Sequence, residues 1–196
     1  DARGNTTTVA YDVSRRVTQQ TEPSPFAYVT KFTYDDNDQI IKVERQTNDP
    51  ANPWQTSLAS YCPCGVIWTV TDPQGNVTTM DYDAMHRLWK TTDAASRVVT
   101  RLYDDANRLS TVTDASGTVV ATYLYTDNGQ RASIKDARNN LTSFTSDGFD
   151  RQARTTYPDS TYSEFSAYDQ NSNPLTVKVR SGATVVFTYD ELNRIK

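Results

Sequence analysis

The chain has 196 residues, 20 Lys and Arg against 24 Asp and Glu, and a formal net charge of −4. Only about a third of it is apolar once its 12 Tyr are set aside and its 7 Gly counted, against about 45–50% in an ordinary globular domain. That is too little for one thick core, while an aromatic content of 11% excludes a disordered chain.

The composition therefore points to a thin β structure that buries one face at a time. The mildly acidic charge offers no footprint for nucleic acid or an anionic membrane, and no run of about 18 apolar residues is present to span a bilayer. His86 is the single histidine, which removes most His-based catalysis and most zinc sites. The chain starts at Asp1 with neither Met nor a secretory leader, and reads as a piece cut from something longer.

In chain order, Asp1-Ala2-Arg3-Gly4 is a turn and Tyr11-Asp12 is the first of a recurring aromatic–acid pair. A strand follows in which Tyr28, Thr30, Phe32 and Tyr34 fall on one face and Val29, Lys31 and Thr33 on the other. Tyr34-Asp35 repeats the mark, and Tyr61 stands where the next is due, with Cys62 in place of the acid. Tyr82-Asp83 and Tyr103-Asp104 continue it, and Tyr125-Thr126 keeps the aromatic but loses the acid. Phe149-Asp150 reads as an aromatic variant, and Tyr168-Asp169 and Tyr189-Asp190 complete the series. The spacing averages about 22 residues, so nine units cover the chain as one array, cut within a repeat at both ends.

A second mark lies eleven residues after the aromatic, at Asp72, Asp93, Asp114 and Asp136, with Gly, Ser or Asn as the fourth turn residue. The fourth residue after the aromatic is also of a turn type at Asp38, Gly65, His86, Asn107, Gly129 and Asn193, but not at Arg15, Ala153 or Ser172. Two turns per unit mean a reversal about every eleven residues. The fold expected is all-β, a meander of tandem hairpins in an antiparallel sheet.

The strings YDAMHRL at Tyr82–Leu88, YDDANRLSTVTDASG at Tyr103–Gly117 and YDELNRI at Tyr189–Ile195 resemble the RHS or YD repeat, whose signature is YDxxGRL. The resemblance covers essentially the whole chain. Members of that family include bacterial RHS polymorphic toxins, shell-forming components of insecticidal toxin complexes, and teneurins. The resemblance implies a curved, spiralling β-sheet that forms part of a hollow shell around the protein's own toxin or another cargo. The DPxGL-type end of the family's autoproteolytic core is matched only in part, by Asp72-Pro73-Gln74-Gly75.

Candidate chemistry is sparse. Arg16, Arg87, Arg108, Arg154 and Arg194 follow the aromatic by five residues, with Gln39 and Gln130 as substitutes. Such a set could be an acid–base pair, but one stamped on nearly every unit reads as structure: Asp binds turn amides while Arg packs on Tyr or pairs with an acid. Cys62-Pro63-Cys64 reads first as a variant turn with free thiols, with a local disulfide or a metal or redox role as the alternatives. Trp54, in the longest segment between aromatic marks, is expected in a loop. Trp68 and Trp89 are expected to stack across adjacent repeats, and all three Trp could instead serve as a ligand platform. Asn5, Asn76 and Asn140 each head a glycosylation triplet that the abundance of Thr explains by chance.

The expectation is a non-catalytic wall segment without cofactor, from a secreted or cell-surface protein. Its partners would be the flanking repeats, an enclosed cargo domain and, through bare sheet edges, further copies of itself. The rival is an extracellular adhesive module that binds glycans or a partner surface.

Overall fold

The computed structural model describes residues 4–196; Asp1, Ala2 and Arg3, and with them the first expected turn, lie outside the described residues. The described residues form seventeen β-strands and no helix. The chain divides into two compact units, residues 1–99 and 100–196. The first unit holds β1 (Thr8–Tyr11), β2 (Val17–Thr21), β3 (Val29–Tyr34), β4 (Ile40–Gln46), β5 (Trp54–Tyr61), β6 (Ile67–Thr71), β7 (Val77–Tyr82) and β8 (Leu88–Thr92). Strand β9 (Val98–Tyr103) leads into the second, with β10 (Leu109–Thr113), β11 (Val119–Tyr125), β12 (Arg131–Asp136) and β13 (Leu141–Ser146). It ends with β14 (Gln152–Thr156), β15 (Tyr162–Tyr168), β16 (Pro174–Lys178) and β17 (Thr184–Val186). Within each unit, consecutive strands pair antiparallel.

Both sequence marks build one and the same turn. In each, the first residue's carbonyl accepts from the fourth residue's N–H, and its own N–H donates to the fifth residue's carbonyl, as at Asp104 with Asn107 and Arg108, and at Asp114 with Gly117 and Thr118. The fourth residue has positive φ throughout, including Arg15 (65°) and Ser172 (64°), whose side chains do not favour it. An Asp in first place explains why. Its Oδ1 accepts the N–H groups of the third and fifth residues, at 3.0 and 2.8 Å for Asp104, and so fixes the turn whatever stands fourth. Asp turns and aromatic–Asp turns alternate, so every aromatic mark lies on one edge of its unit. The opposite edge carries the other turns and two longer connections, 22–28 and 47–53.

The strand after each aromatic-mark turn contains a β-bulge that the alternation of the sequence did not reveal. Tyr34 opposes Ile40 while Thr33 opposes Lys42, so that Ile41 is extra. Trp68, Trp89, Ser110 and Ala132 occupy the same extra place in β6, β8, β10 and β12. A bulge of this kind increases local twist and re-aims the residues beside it.

The register sorts the side chains of each unit onto two unlike faces. In the second unit one face carries Tyr123, Ile134, Phe144, Thr155 and Phe165. The other carries Ser133, Ser143, Thr156 and the row Arg154, Glu164, Lys178. No hydrophobic side chain among the described residues is buried; Ser133 and Thr155, each 7% exposed, are the buried residues. The accessible surface is 13455 Å², where a compact chain of 22.0 kDa would expose about 9,300 Å². Stability must therefore come from the strand ladders, the turns and neighbouring side chains across strands.

Arg15 and Ser96 are among the turn residues that bear a cost for positive φ. Arg15→Gly and Ser96→Gly relieve left-handed backbone at φ 65° and 60° and are expected to stabilise the chain by about 0.5–1 kcal/mol each. Urea unfolding of the two variants beside the parent chain measures it.

Candidate functional site

The recurring constellation lies on the aromatic-mark edge and links one repeat to the next. Arg108 donates from Nε to Asp104 Oδ2 at 2.8 Å, lays its guanidinium 4.5 Å from the centre of the Tyr125 ring and donates from Nη1 to the Thr126 carbonyl at 3.2 Å. Tyr125 returns the link, its hydroxyl donating to the Leu109 carbonyl at 2.8 Å. The same clamp joins Asp12, Arg16 and Tyr34: the guanidinium lies 4.8 Å from the ring centre and reaches the Asp35 carbonyl at 3.2 Å and Asp38 at 2.6 Å. Tyr34 donates to Val17, Tyr61 to Ile40, Tyr168 to Gln152 and Tyr189 to Pro174, in each case the fifth residue after the preceding turn's first. Clamping also covers the charge. The side chains of Arg16, Arg108 and Arg151 are 25–30% exposed, while Arg97, which pairs with Asp93 on the opposite edge, is 72% exposed.

Among the residues expected in this pattern, Asp83 and Arg87 pair at 2.7 Å, and so do Asp190 and Arg194. Asp169 binds Asn173 instead of an arginine, at 2.9 Å. Gln39 reaches across to the Gly65 carbonyl at 2.7 Å, and Thr126 replaces an Asp by accepting the Gln130 N–H at 3.1 Å.

The structure moves one unit's register. Phe149-Asp150 is not an aromatic–acid mark: the turn begins at Asp147, Phe149 is its third residue and is 81% exposed, and Asp150 holds the positive-φ place. The clamp arginine is accordingly Arg151, with Nε 2.7 Å from Asp147 and its guanidinium 4.2 Å from the Tyr168 ring centre, whereas Arg154 pairs across strands with Glu164 at 2.7 Å. Ser146 takes the place of the aromatic, which is why Phe149 misled. The spacing of Asp147 to Arg151 matches that of Asp104 to Arg108 and is the signal that finds it. Asn76 and Asn140 donate to Asp72 and Asp136 at 2.8 and 2.9 Å, so their amides serve turns.

The cysteines depart from expectation as well. Cys62 and Cys64 form a disulfide, and neither thiol is free. Cys62 takes the first turn position, where its sulfur accepts the Cys64 N–H at 3.1 Å in place of a carboxylate oxygen. Trp54 is no loop residue: it opens β5, pairs with Gln46 and holds the Lys31 ammonium 4.4 Å from its ring centre. The expected stack of Trp68 on Trp89 is absent from the ring pairs of the described residues, which are Phe26–Tyr28 and Phe165–Tyr168. As bulge residues, Trp68 and Trp89 stand 52% and 39% exposed.

No group of three or more His, Cys, Asp or Glu among the described residues could hold a metal ion. The electrostatics are those of the turns. Backbone N–H bonds from Arg16, Arg87 and Arg108 hold the carboxyls of Asp12, Asp83 and Asp104 below the usual carboxylate range. The Asn76 and Asn140 amides do the same for Asp72 and Asp136. Asp159, bonded to Thr161 and Arg180, is lowered to about 2.

Hairpins that repeat at this period and are tied through an Asp–Arg–Tyr clamp define a β-hairpin repeat array. Residues 69–98, 90–119 and 103–140 match the family model described as RHS Repeat, so this stretch of the chain is similar to RHS repeats. No curated protein matches it in sequence. A crystal structure of TcdB2-TccC3-Cdc42 superposes with a TM-score of 0.60 at 14% identity, over 96% of this chain and 12% of that one. A crystal structure of TcdB2-TccC3 gives 0.59 at 15% identity, over 96% and 13%. A variant of the Photorhabdus luminescens Tc holotoxin pore gives 0.56 at 15% identity, over 96% and 12%. At these identities the likeness is one of fold, and this chain spans about an eighth of the length of those chains.

Two outcomes follow. Lowered carboxyl pKa values stabilise the fold fully above the unfolded value of about 3.9 and lose that contribution as pH falls through the folded values. Denaturant midpoints are therefore expected to stay level from pH 7 to about 5 and to fall steeply between about 4 and 2. For the cysteines, thiol titration of the unfolded chain is expected to find no thiol before reduction and both after it. The loop they close is so short that reduction costs only about 1–2 kcal/mol.

Proposed function

We propose that this chain is a non-catalytic wall segment of an RHS-type hollow shell that encloses a toxin or other cargo domain, and that its nine units act as one array. The observation that carries the reading is the match of 96% of the chain to chains of toxin complexes. The architecture supports it. A sheet without a packed second layer covers the greatest area for its mass, and clamps tie successive hairpins together without needing a partner. In this reading the signature residues serve cohesion, the partners are flanking repeats and the enclosed domain, and the parent protein is secreted or on the cell surface. Strands β1 and β17, each paired on one side, are the edges through which the isolated chain would associate with copies of itself.

A second reading, an adhesive module, is favoured by one observation, the exposure of Trp68 and Trp89. Imaging of the parent protein together with protease protection of its remaining domains separates the two. The wall reading expects closed density around a domain that external protease cuts only after the shell is opened. An open sheet with freely cut neighbours, joined to saturable glycan binding that Trp68→Ala or Trp89→Ala abolishes, would replace it with the adhesive one.

A further inference from the structure

At the junction that follows Tyr61, the turn supplies neither the Asp nor the Arg of the clamp. At the turn beginning with Cys62, the cysteine stands where Asp belongs and Val66 stands where Arg16, Arg108 and Arg151 stand in their own turns. The Tyr of the next repeat is present, but the Tyr82 hydroxyl points to Met80 Sδ at 3.9 Å and not to the carbonyl of Ile67, the fifth residue after the turn's first, as the pattern of the other repeats would have it. In place of the clamp is a cavity of about 360 Å³, lined by the Cys62–Cys64 disulfide, Trp68, Met80, Tyr82 and His86, with Asp81 and Asp83 at its margin.

The chain's own clamps show what such a place accepts. Over Tyr34 the occupant is a guanidinium, 4.8 Å from the ring centre, which donates to the first carbonyl of the next turn and to the side chain of that turn's fourth residue. The corresponding groups beside Tyr82 are the Asp83 carbonyl and the His86 imidazole. The Asp83 carbonyl already accepts from the His86 N–H at 2.9 Å, just as Asp35 accepts from Asp38 while also taking Arg16, and a carbonyl has a second lone pair to offer. The Cys62 turn carries no arginine or lysine to lay over the ring. The bulge residue beside it is the large Trp68, as Trp89 is in the repeat of Asp83 and Arg87, where the repeats of Arg16, Arg108 and Arg151 place Thr18, Ser110 and Ala153. Trp68 thus gives a second aromatic wall for a cation, while Met80 and the disulfide line the path of an alkyl stem.

We propose that this cavity binds a guanidinium group in trans: an arginine side chain of a partner segment that completes over Tyr82 the clamp that Arg16, Arg108 and Arg151 complete in cis. The occupant is specified by charge and shape together. An aromatic pair and a carbonyl select a planar cationic donor over a neutral one, and lysine, a point charge, satisfies the fork poorly. The inference stands apart from the wall reading, since it requires only the geometry of this junction.

The test uses the 196-residue chain and the peptide acetyl-Ala-Arg-Ala-amide, followed by NMR at the Trp68 indole N–H. The expected result is a saturable shift, with the citrulline peptide at least about tenfold weaker because it is isosteric but uncharged. Val66→Arg supplies the missing guanidinium from within and should abolish binding while leaving the rest of the amide spectrum unchanged. Should that variant fail to fold, Val66→Gln, the residue type the chain itself uses at Gln39 and Gln130, takes its place. Absence of a saturable shift, equal binding of the citrulline peptide, or undiminished binding by the folded Val66 variant would each overturn the proposal.

Discussion

The whole structure depends on a turn carboxylate that accepts two backbone N–H groups. A sheet with no second layer cannot draw its order from a core, because there is no apolar interior for its side chains to compete for. Order has to be imposed at the ends of the strands. One Asp Oδ1 does this by fixing the two N–H groups that a tight turn would otherwise leave to water, as Asp104 does for Ala106 and Arg108. Its second oxygen is then free to hold an arginine, and the clamp to the next repeat is built on that arginine.

The linkage explains why the signature couples an acid, a basic residue and an aromatic at fixed spacing. Arg108 touches its own Asp104, the Tyr125 ring and the Thr126 carbonyl at once. A guanidinium has enough planar donors to serve both partners while stacking on the ring. Tyr125 closes the circuit through Leu109. Each ion pair by itself is a partly exposed contact of small worth, but the links are shared between neighbouring hairpins, and a lone hairpin would be only marginally stable. Where Gln39 or Asn173 replaces the arginine, that residue keeps one hydrogen bond across the repeats, to Gly65 or to Asn193, beside the bonds of Tyr61 to Ile40 and Tyr189 to Pro174.

Much of this was legible in the residues themselves. Strand alternation around Phe32, the repeat period and the placement of turns at Asp72, Asp93, Asp114 and Asp136 all follow from local chemistry that a sequence states directly. What escaped was non-local or ambiguous. The bulge after each aromatic mark leaves no local trace, because Ile41, Trp68 and Ser110 share no chemical property. Phe149-Asp150 imitated a mark that Asp147 actually makes, since an aromatic followed by an acid is a common pair and the spacing to Arg151 was the better guide. The identity of the two kinds of turn was hidden by the aromatic that precedes only one of them. The paired cysteines were underestimated because a turn brings together two side chains that an extended strand would hold apart.

The two edges of each unit also differ in how much change they tolerate. The clamps of Arg16, Arg108 and Arg151 sit on the edge of the aromatic marks, where an added residue would displace an arginine from the ring it covers; Arg180 makes a similar link to Tyr157 and Asp159 on the other edge. The connections at 22–28 and 47–53 lie on the other edge and carry no clamp. That edge is where the chain accommodates extra length, and it is the natural seat for a grafted segment: a peptide spliced between Thr47 and Pro53, whose backbone groups meet at 2.9 Å, would be displayed from a base that the rest of the array already holds in place.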